Sequence, residues 1–128
     1  MKKKVLIVVS DYYKDIAEAL LISTKKFLDK KIKLKVIKVP GVFEIPVIIS
    51  KNLKKFDGFI AIGCVIRGKT AHFDLISKSV IDAIMNISIN SKKPVGNCIL
   101  TCFNYKQALA RKKKGKEAAS ALNSIICK

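Results

Sequence analysis

The stretch from Asp57 to Asp74, DGFIAIGCVIRGKTAHFD, joins a turn pair, a run from Phe59 to Ile66 that is nearly all apolar or small, and the polar segment Arg67-Gly68-Lys69-Thr70. An apolar run bounded in this way suits a central parallel strand buried on both faces. After it Phe73, Ile76, Val80, Ala83, Ile84 and Ile87 recur every three or four residues, which predicts a long helix ending near Asn90-Ser91, before Pro94. Strand, short polar loop and helix together are the repeating unit of an α/β fold.

The unit recurs on both sides of this stretch. Lys4 to Ser10 (KVLIVVS) reads as strand one, and Tyr13 to Lys30 as a helix whose stripe of Ala17, Leu20, Leu21, Thr24, Phe27 and Leu28 opposes a lysine-rich face. Lys33 to Val39 alternates until Pro40-Gly41 breaks it, and Glu44 to Lys55 predicts a shorter helix with Pro46 in its first turn. Val95 to Thr101 reads as strand four. Tyr105 to Arg111 and Glu117 to Ile126 read as two helical pieces separated by KKKGK around Gly115. Four such units imply right-handed crossovers and a three-layer α/β/α sandwich around a four-stranded parallel sheet. Ligands bind such sheets beyond the carboxyl ends of the strands. Those ends are Ser10 to Tyr13, Pro40 to Glu44, Ile66 to His72, and Thr101 onward.

The chain has 128 residues and 14.2 kDa, which fits one domain over residues 1–128 with no linker, repeat or low-complexity segment. Its apolar runs, such as Val5 to Val9, fall far short of the ~20 residues of a membrane span. Charged Asp11, Lys14 and Asp15 follow the first run at once and disfavour a signal peptide, so a cytoplasmic location is expected. Cys64, Cys98, Cys102 and Cys127 lack C-x-x-C spacing, and a single histidine does not complete a common zinc set with them. They are expected to be buried free thiols. The formal net charge of +17 invites a polyanion partner. Yet of 26 basic residues only Arg67 and Arg111 are arginine, and base readers favour the arginine fork. Abundant lysine, isoleucine and asparagine resemble drift toward adenine- and thymine-rich codons, so no specific nucleic acid and no membrane partner are expected.

Candidate chemistry concentrates at the strand ends. Gly68-Lys69-Thr70 precedes a helix, where backbone amides and the helix dipole favour an anion; Thr70 equally suits a plain helix N-cap, with Asp74 stabilising the same end. His72, the only histidine, falls in the first helical turn, where the positive dipole end disfavours imidazolium and leaves the neutral base that proton transfer needs. A packed or surface histidine is the plain alternative. Retained arginine at 67 and 111 suggests either a phosphate fork or a structural ion pair. Glu44 can bind a polyol or start its helix, and Tyr12 and Phe43 can sandwich a flat heterocycle or serve the core.

Together PGVFEIP at Pro40 to Pro46, GCVIRGKTAHFD at Gly63 to Asp74, PVGNCILT at Pro94 to Thr101, QALAR at Gln107 to Arg111 and KGKEAASAL at Lys114 to Leu122 resemble the lumazine synthase family over nearly the whole chain. The resemblance implies a flavodoxin-like fold and an enzyme of riboflavin biosynthesis. Such an enzyme joins a ribitylamino-pyrimidinedione to a four-carbon ketone phosphate without a cofactor or metal. By position it implies His72 as the proton-transfer residue. It implies Gly68, Lys69, Thr70, Arg111 and Lys114 as phosphate ligands. Tyr12, Val42, Phe43, Glu44, Cys64, Val65, Ile66 and Asn97 would then bind the pyrimidine ring and ribityl chain. Sites in this family lie between subunits, so Asn97, Arg111 and Lys114 would come from a neighbour. Asn97-Cys98 replaces a frequent Phe-Gly, Val42 a smaller residue, Ala71 a proline, Tyr12 a phenylalanine and Lys113 an asparagine. The short Arg111 to Lys114 segment lacks the glycine-containing link of shell-forming members, which implies a free homopentamer. The alternative is a catalytically weak flavin- or lumazine-binding module of the same fold. A phosphoacceptor receiver domain is disfavoured, because Arg67 ends strand three where that domain needs an aspartate.

Overall fold

The computed structural model describes residues 2–127. Strands β1 (Lys4–Ser10), β2 (Lys33–Val39), β3 (Gly58–Ile66) and β4 (Val95–Cys102) form one parallel sheet in the order β2-β1-β3-β4. The connecting helices are α1 (Lys14–Phe27), α2 (Ile45–Lys51), α3 (His72–Ser91), α4 (Tyr105–Ala110) and α5 (Gly115–Ile126). Each strand lies within one residue of its apolar run. The runs are continuous because both faces are covered: Val5, Ile7 and Val9 of β1 join Leu20 of α1 and Leu122 of α5, whereas Leu6 and Val8 join Ile45, Ile49, Val80 and Ile84 of α2 and α3. The result is the expected three-layer sandwich. No helix among the described residues is long and apolar enough to cross a membrane.

Three helix boundaries differ from the sequence reading, each for a local reason. Helix α1 stops at Phe27 rather than Lys30 because Asn123 of α5 takes over its end: Asn123 Nδ2 donates to the Phe27 carbonyl at 2.9 Å, and the Asp29 N–H donates to Asn123 Oδ1 at 3.1 Å. Helix α2 is only Ile45–Lys51, preceded by a 3-10 turn at Val42–Glu44 and closed by Asn52, whose side chain donates to the Ile48 carbonyl at 2.7 Å. Helix α5 begins at Gly115 instead of Glu117. The lysine cluster looked like a separator, but Gly115 is buried where a Cβ would collide with Ser23 and Thr24, so its bare backbone is what lets α5 close on α1. The thiols are all free; Cys64, Cys98 and Cys102 are buried as expected, whereas Cys127, just past the end of α5, is exposed.

The ladders end at different heights. β1 pairs with β2 as far as Ser10–Val39 but with β3 only as far as Val9–Ile62, while β3 and β4 stay paired to Ile66–Cys102. Beyond Val9, β1 and β3 therefore part. The chain runs outward from β1 to β2 and then crosses to β3 on the other side, so this gap is the topological switch point, where open α/β sheets hold their ligands.

Candidate active site

A cavity of about 520 Å³ opens at this gap. The end of β1 supplies Ser10, Tyr12 and Tyr13, and the turn after β2 supplies Gly41, Val42 and Phe43. The end of β3 gives Cys64, Val65 and Ile66, and the following loop and first turns of α3 give Gly68, Thr70, His72, Phe73 and Ile76. The floor depends on Gly63, where an added Cβ would fall 2.5 Å from Val42 Cγ1; its absence lets the 3-10 turn settle against β3. Tyr12 and Phe43 are 72% and 61% exposed, large aromatic faces left free at two strand ends. A flat heterocycle can use such faces.

His72 is the first residue of α3 and is exposed. Its backbone N–H donates to Thr70 Oγ1 at 3.3 Å. Thr70 is not the N-cap that its spacing suggested: Ala71 holds that position, and the hydroxyl is spent on the amide two residues on, as in a serine/threonine turn. The helix keeps the positive end of its dipole at the cavity edge, which favours an anion there. Nothing lies within 4 Å of where a Gly68 Cβ would be, so a bulky anion can approach the loop backbone. Lys69 is exposed in the same loop. Glu44 lines no part of the cavity directly. Its Oε1 lies 3.0 Å from the Cβ position of the lining residue Gly41, which puts the carboxylate at the rim.

The remaining candidates lie elsewhere on the chain. Asn97 is an exposed residue of edge strand β4, opposite Ala61, and its Oδ1 accepts the Ile99 N–H at 3.0 Å. Arg111 is exposed after α4, with Nη1 3.5 Å from the Gln107 carbonyl. Lys114 precedes α5 and pairs loosely with Glu117 at 3.5 Å. Arg67, whose N–H donates to the Cys102 carbonyl, sets its guanidinium over the Phe103 ring at 5.6 Å. Among the described residues it has no carboxylate partner, so stacking rather than an ion pair accounts for its position.

Two lining groups are poor proton carriers. Burial, reinforced by neighbouring Cys102, pushes the Cys64 thiol up to about 12, and burial followed by the proximity of Tyr12 and Cys64 raises Tyr13. Both stay protonated near neutrality.

Residues 2–128 match the sequence profile of 6,7-dimethyl-8-ribityllumazine synthase. The enzyme of that name from Agrobacterium fabrum is 41% identical over 138 residues, covering 98% of this chain and 93% of its own length. Another from Bartonella henselae is 42% identical, covering 98% and 87%, and one from Corynebacterium kroppenstedtii is 36% identical, covering 92% and 79%. The chain belongs to the 6,7-dimethyl-8-ribityllumazine synthase family.

Nine residues singled out for lumazine synthase chemistry thus share one cavity: Tyr12, Val42, Phe43, Cys64, Val65, Ile66, Gly68, Thr70 and His72. Five lining residues were missed. Ser10, Tyr13 and Gly41 lie within the strand-end stretches expected to hold the ligand, but none of them was singled out as a binding residue. Phe73 and Ile76 were read as core positions of the α3 stripe. The signal for Ser10, Tyr13 and Gly41 was positional, since each sits at or just after a strand's carboxyl end, but nothing in residue type set any of the five apart from packing.

Proposed function

We propose that this lumazine synthase performs its reaction in the cavity between β1 and β3. There it condenses 5-amino-6-(D-ribitylamino)uracil with 3,4-dihydroxy-2-butanone 4-phosphate to give 6,7-dimethyl-8-ribityllumazine, phosphate and water. The supporting observation is the convergence of His72, the Gly68-to-Thr70 loop and the exposed rings of Tyr12 and Phe43 on one cavity at the switch point. The aromatic faces hold the pyrimidinedione, with Val42, Cys64, Val65 and Ile66 closing around it. Glu44 at the rim accepts hydrogen bonds from the ribityl hydroxyls. Gly68, Lys69 and Thr70 receive the phosphate of the ketone. The primary amine attacks the ketone carbonyl and water leaves; phosphate is eliminated; the ribityl-bearing nitrogen then closes the ring with loss of a second water. His72 carries protons between these steps, and fixing both substrates side by side lowers the entropic cost.

Asn97, Arg111 and Lys114 complete the site from a neighbouring subunit of a homopentamer. Asn97 and Arg111 are exposed, and none of the three lines the cavity of its own chain, which supports this reading. Residues 1–128 act as one lumazine-synthase-like domain, and free buried thiols suit the reducing cytoplasm. The test is to incubate the pure protein with both substrates and follow the lumazine chromophore and free phosphate. Both should appear together; neither exceeding the uncatalysed rate, in an assembled protein, would sink the reading.

A further inference from the structure

Ser10 is 2% exposed, and its Oγ is sealed from water with no hydrogen-bond partner among the described residues. A buried hydroxyl left unmatched is destabilising, so native proteins rarely keep one without use. Ser77 is the other such case, but it lies within α3, where a serine rotamer can reach the carbonyl of the preceding turn. Ser10 stands at the end of a strand, with no helical turn before it. It is the last residue of β1, one step past the point where β1 and β3 stop pairing, and it lines the cavity. Its surroundings are apolar: a Cβ on Gly63 would meet Val42 Cγ1, then Ser10 Cβ at 3.3 Å, then Ile45 Cδ1. The nearby cavity residues Val42, Cys64 and Val65 offer it no strong acceptor side chain. Alanine would fill the same space without the cost.

We propose that Ser10 Oγ is a substrate-binding group that hydrogen-bonds the polar edge of the pyrimidinedione at the cavity floor, reached by a turn about χ1 from one staggered position to another. This rests on the cavity being the lumazine site. A hydroxyl suits that ligand because it can donate to a ring carbonyl or accept from a ring N–H. A bound ring supplies the partner that the oxygen lacks among the described residues. Ligand affinity and the stability of the empty protein should therefore respond to its removal in opposite directions.

The experiment compares the wild-type protein with Ser10→Ala, using 6,7-dimethyl-8-ribityllumazine as a fluorescent probe. The variant should bind it about fivefold to tenfold more weakly, the effect of one hydrogen bond. Its KM for the pyrimidinedione should rise while KM for the ketone phosphate is unchanged, and without ligand its Tm should match or exceed that of the wild type. Equal lumazine affinity in the two proteins overturns the assignment while leaving the site intact. Weaker binding accompanied by a lower Tm without ligand overturns it too, because the hydroxyl would then be structural. A wild-type protein that binds no lumazine removes the reading of the cavity and the role of Ser10 with it.

Discussion

At the scale of single residues an exposed imidazole stands at the cavity edge while burial holds the thiols below it neutral. His72 stands exposed at the start of α3, in contact with the cavity, and its backbone rather than its ring is tied to Thr70. Replacing the ring should leave the fold untouched, and His72→Ala is expected to lower turnover about 10²-fold with the assembly intact. Steady-state turnover alongside a sedimentation profile checks both parts; unchanged turnover would remove His72 from the mechanism. The thiols behave in the opposite way. Cys64 is raised to about 12, and Cys98 to about 11, by burial first; for Cys98 the Thr24 hydroxyl and Lys114 charge pull back down and Glu117 adds to the rise. An unfolded chain releases these protons near pH 9, whereas the folded chain keeps them until pH 11 to 12. Below pH 9 both states are protonated and the thiols' contribution to stability is fully present; it is lost as pH rises through the window from 9 to 12. Denaturation midpoints measured across that window should fall less steeply in a Cys64→Ala, Cys98→Ala double variant than in the wild type. Parallel curves would refute the assignment.

At the scale of elements the helices and strands were legible because their physics is local. Continuous apolar runs marked β1 and β3, and a three-and-four spacing marked α3 over its whole length. What escaped was set by contacts distant in sequence: Asn123 of α5 ending α1, and Gly115 admitting α5 against Thr24. The candidate site was legible to the same degree. His72 and the Gly68-to-Thr70 loop lie on one continuous stretch, whereas Ser10 and Ile76 reach the cavity only through the way β1 and α3 are placed. Gly63 shows how such a placement can be tested. A methyl group there would sit 2.5 Å from Val42 Cγ1, forcing the 3-10 turn off β3. Gly63→Ala should cost about 1–3 kcal/mol as an overpacked core position. Val42→Ala, which vacates that space, should recover much of the loss, with a coupling of at least about 1 kcal/mol in a double-mutant cycle by urea denaturation. Additive effects would mean that the turn and the strand do not press on one another.

At the scale of the whole molecule the proposed site draws on more than one chain. The cavity is lined by His72, Gly68, Thr70, Tyr12 and Phe43, but by neither of the chain's two arginines. Arg67 is occupied in stacking on Phe103, while Arg111 extends exposed from the turn after α4 with only a long contact to Gln107. A guanidinium fork is the best match to a phosphate, and in a closed ring each chain can lend its Arg111 to the next chain's cavity. Complementation distinguishes this from a role within one chain. On the proposed assignment His72→Ala removes the proton carrier but leaves Arg111 to lend, and Arg111→Ala keeps the proton carrier but lends nothing. In rings assembled from equal amounts of the two, a site is whole wherever an Arg111→Ala chain receives from a His72→Ala neighbour. Random mixing in a cyclic assembly makes about a quarter of all sites whole. Co-refolded mixtures should therefore regain about a quarter of wild-type turnover, although either variant alone is nearly inactive. If Arg111 served its own chain, every site would carry one defect and mixing would restore nothing. The activity of the mixture, read against the average of its two parents, decides between them.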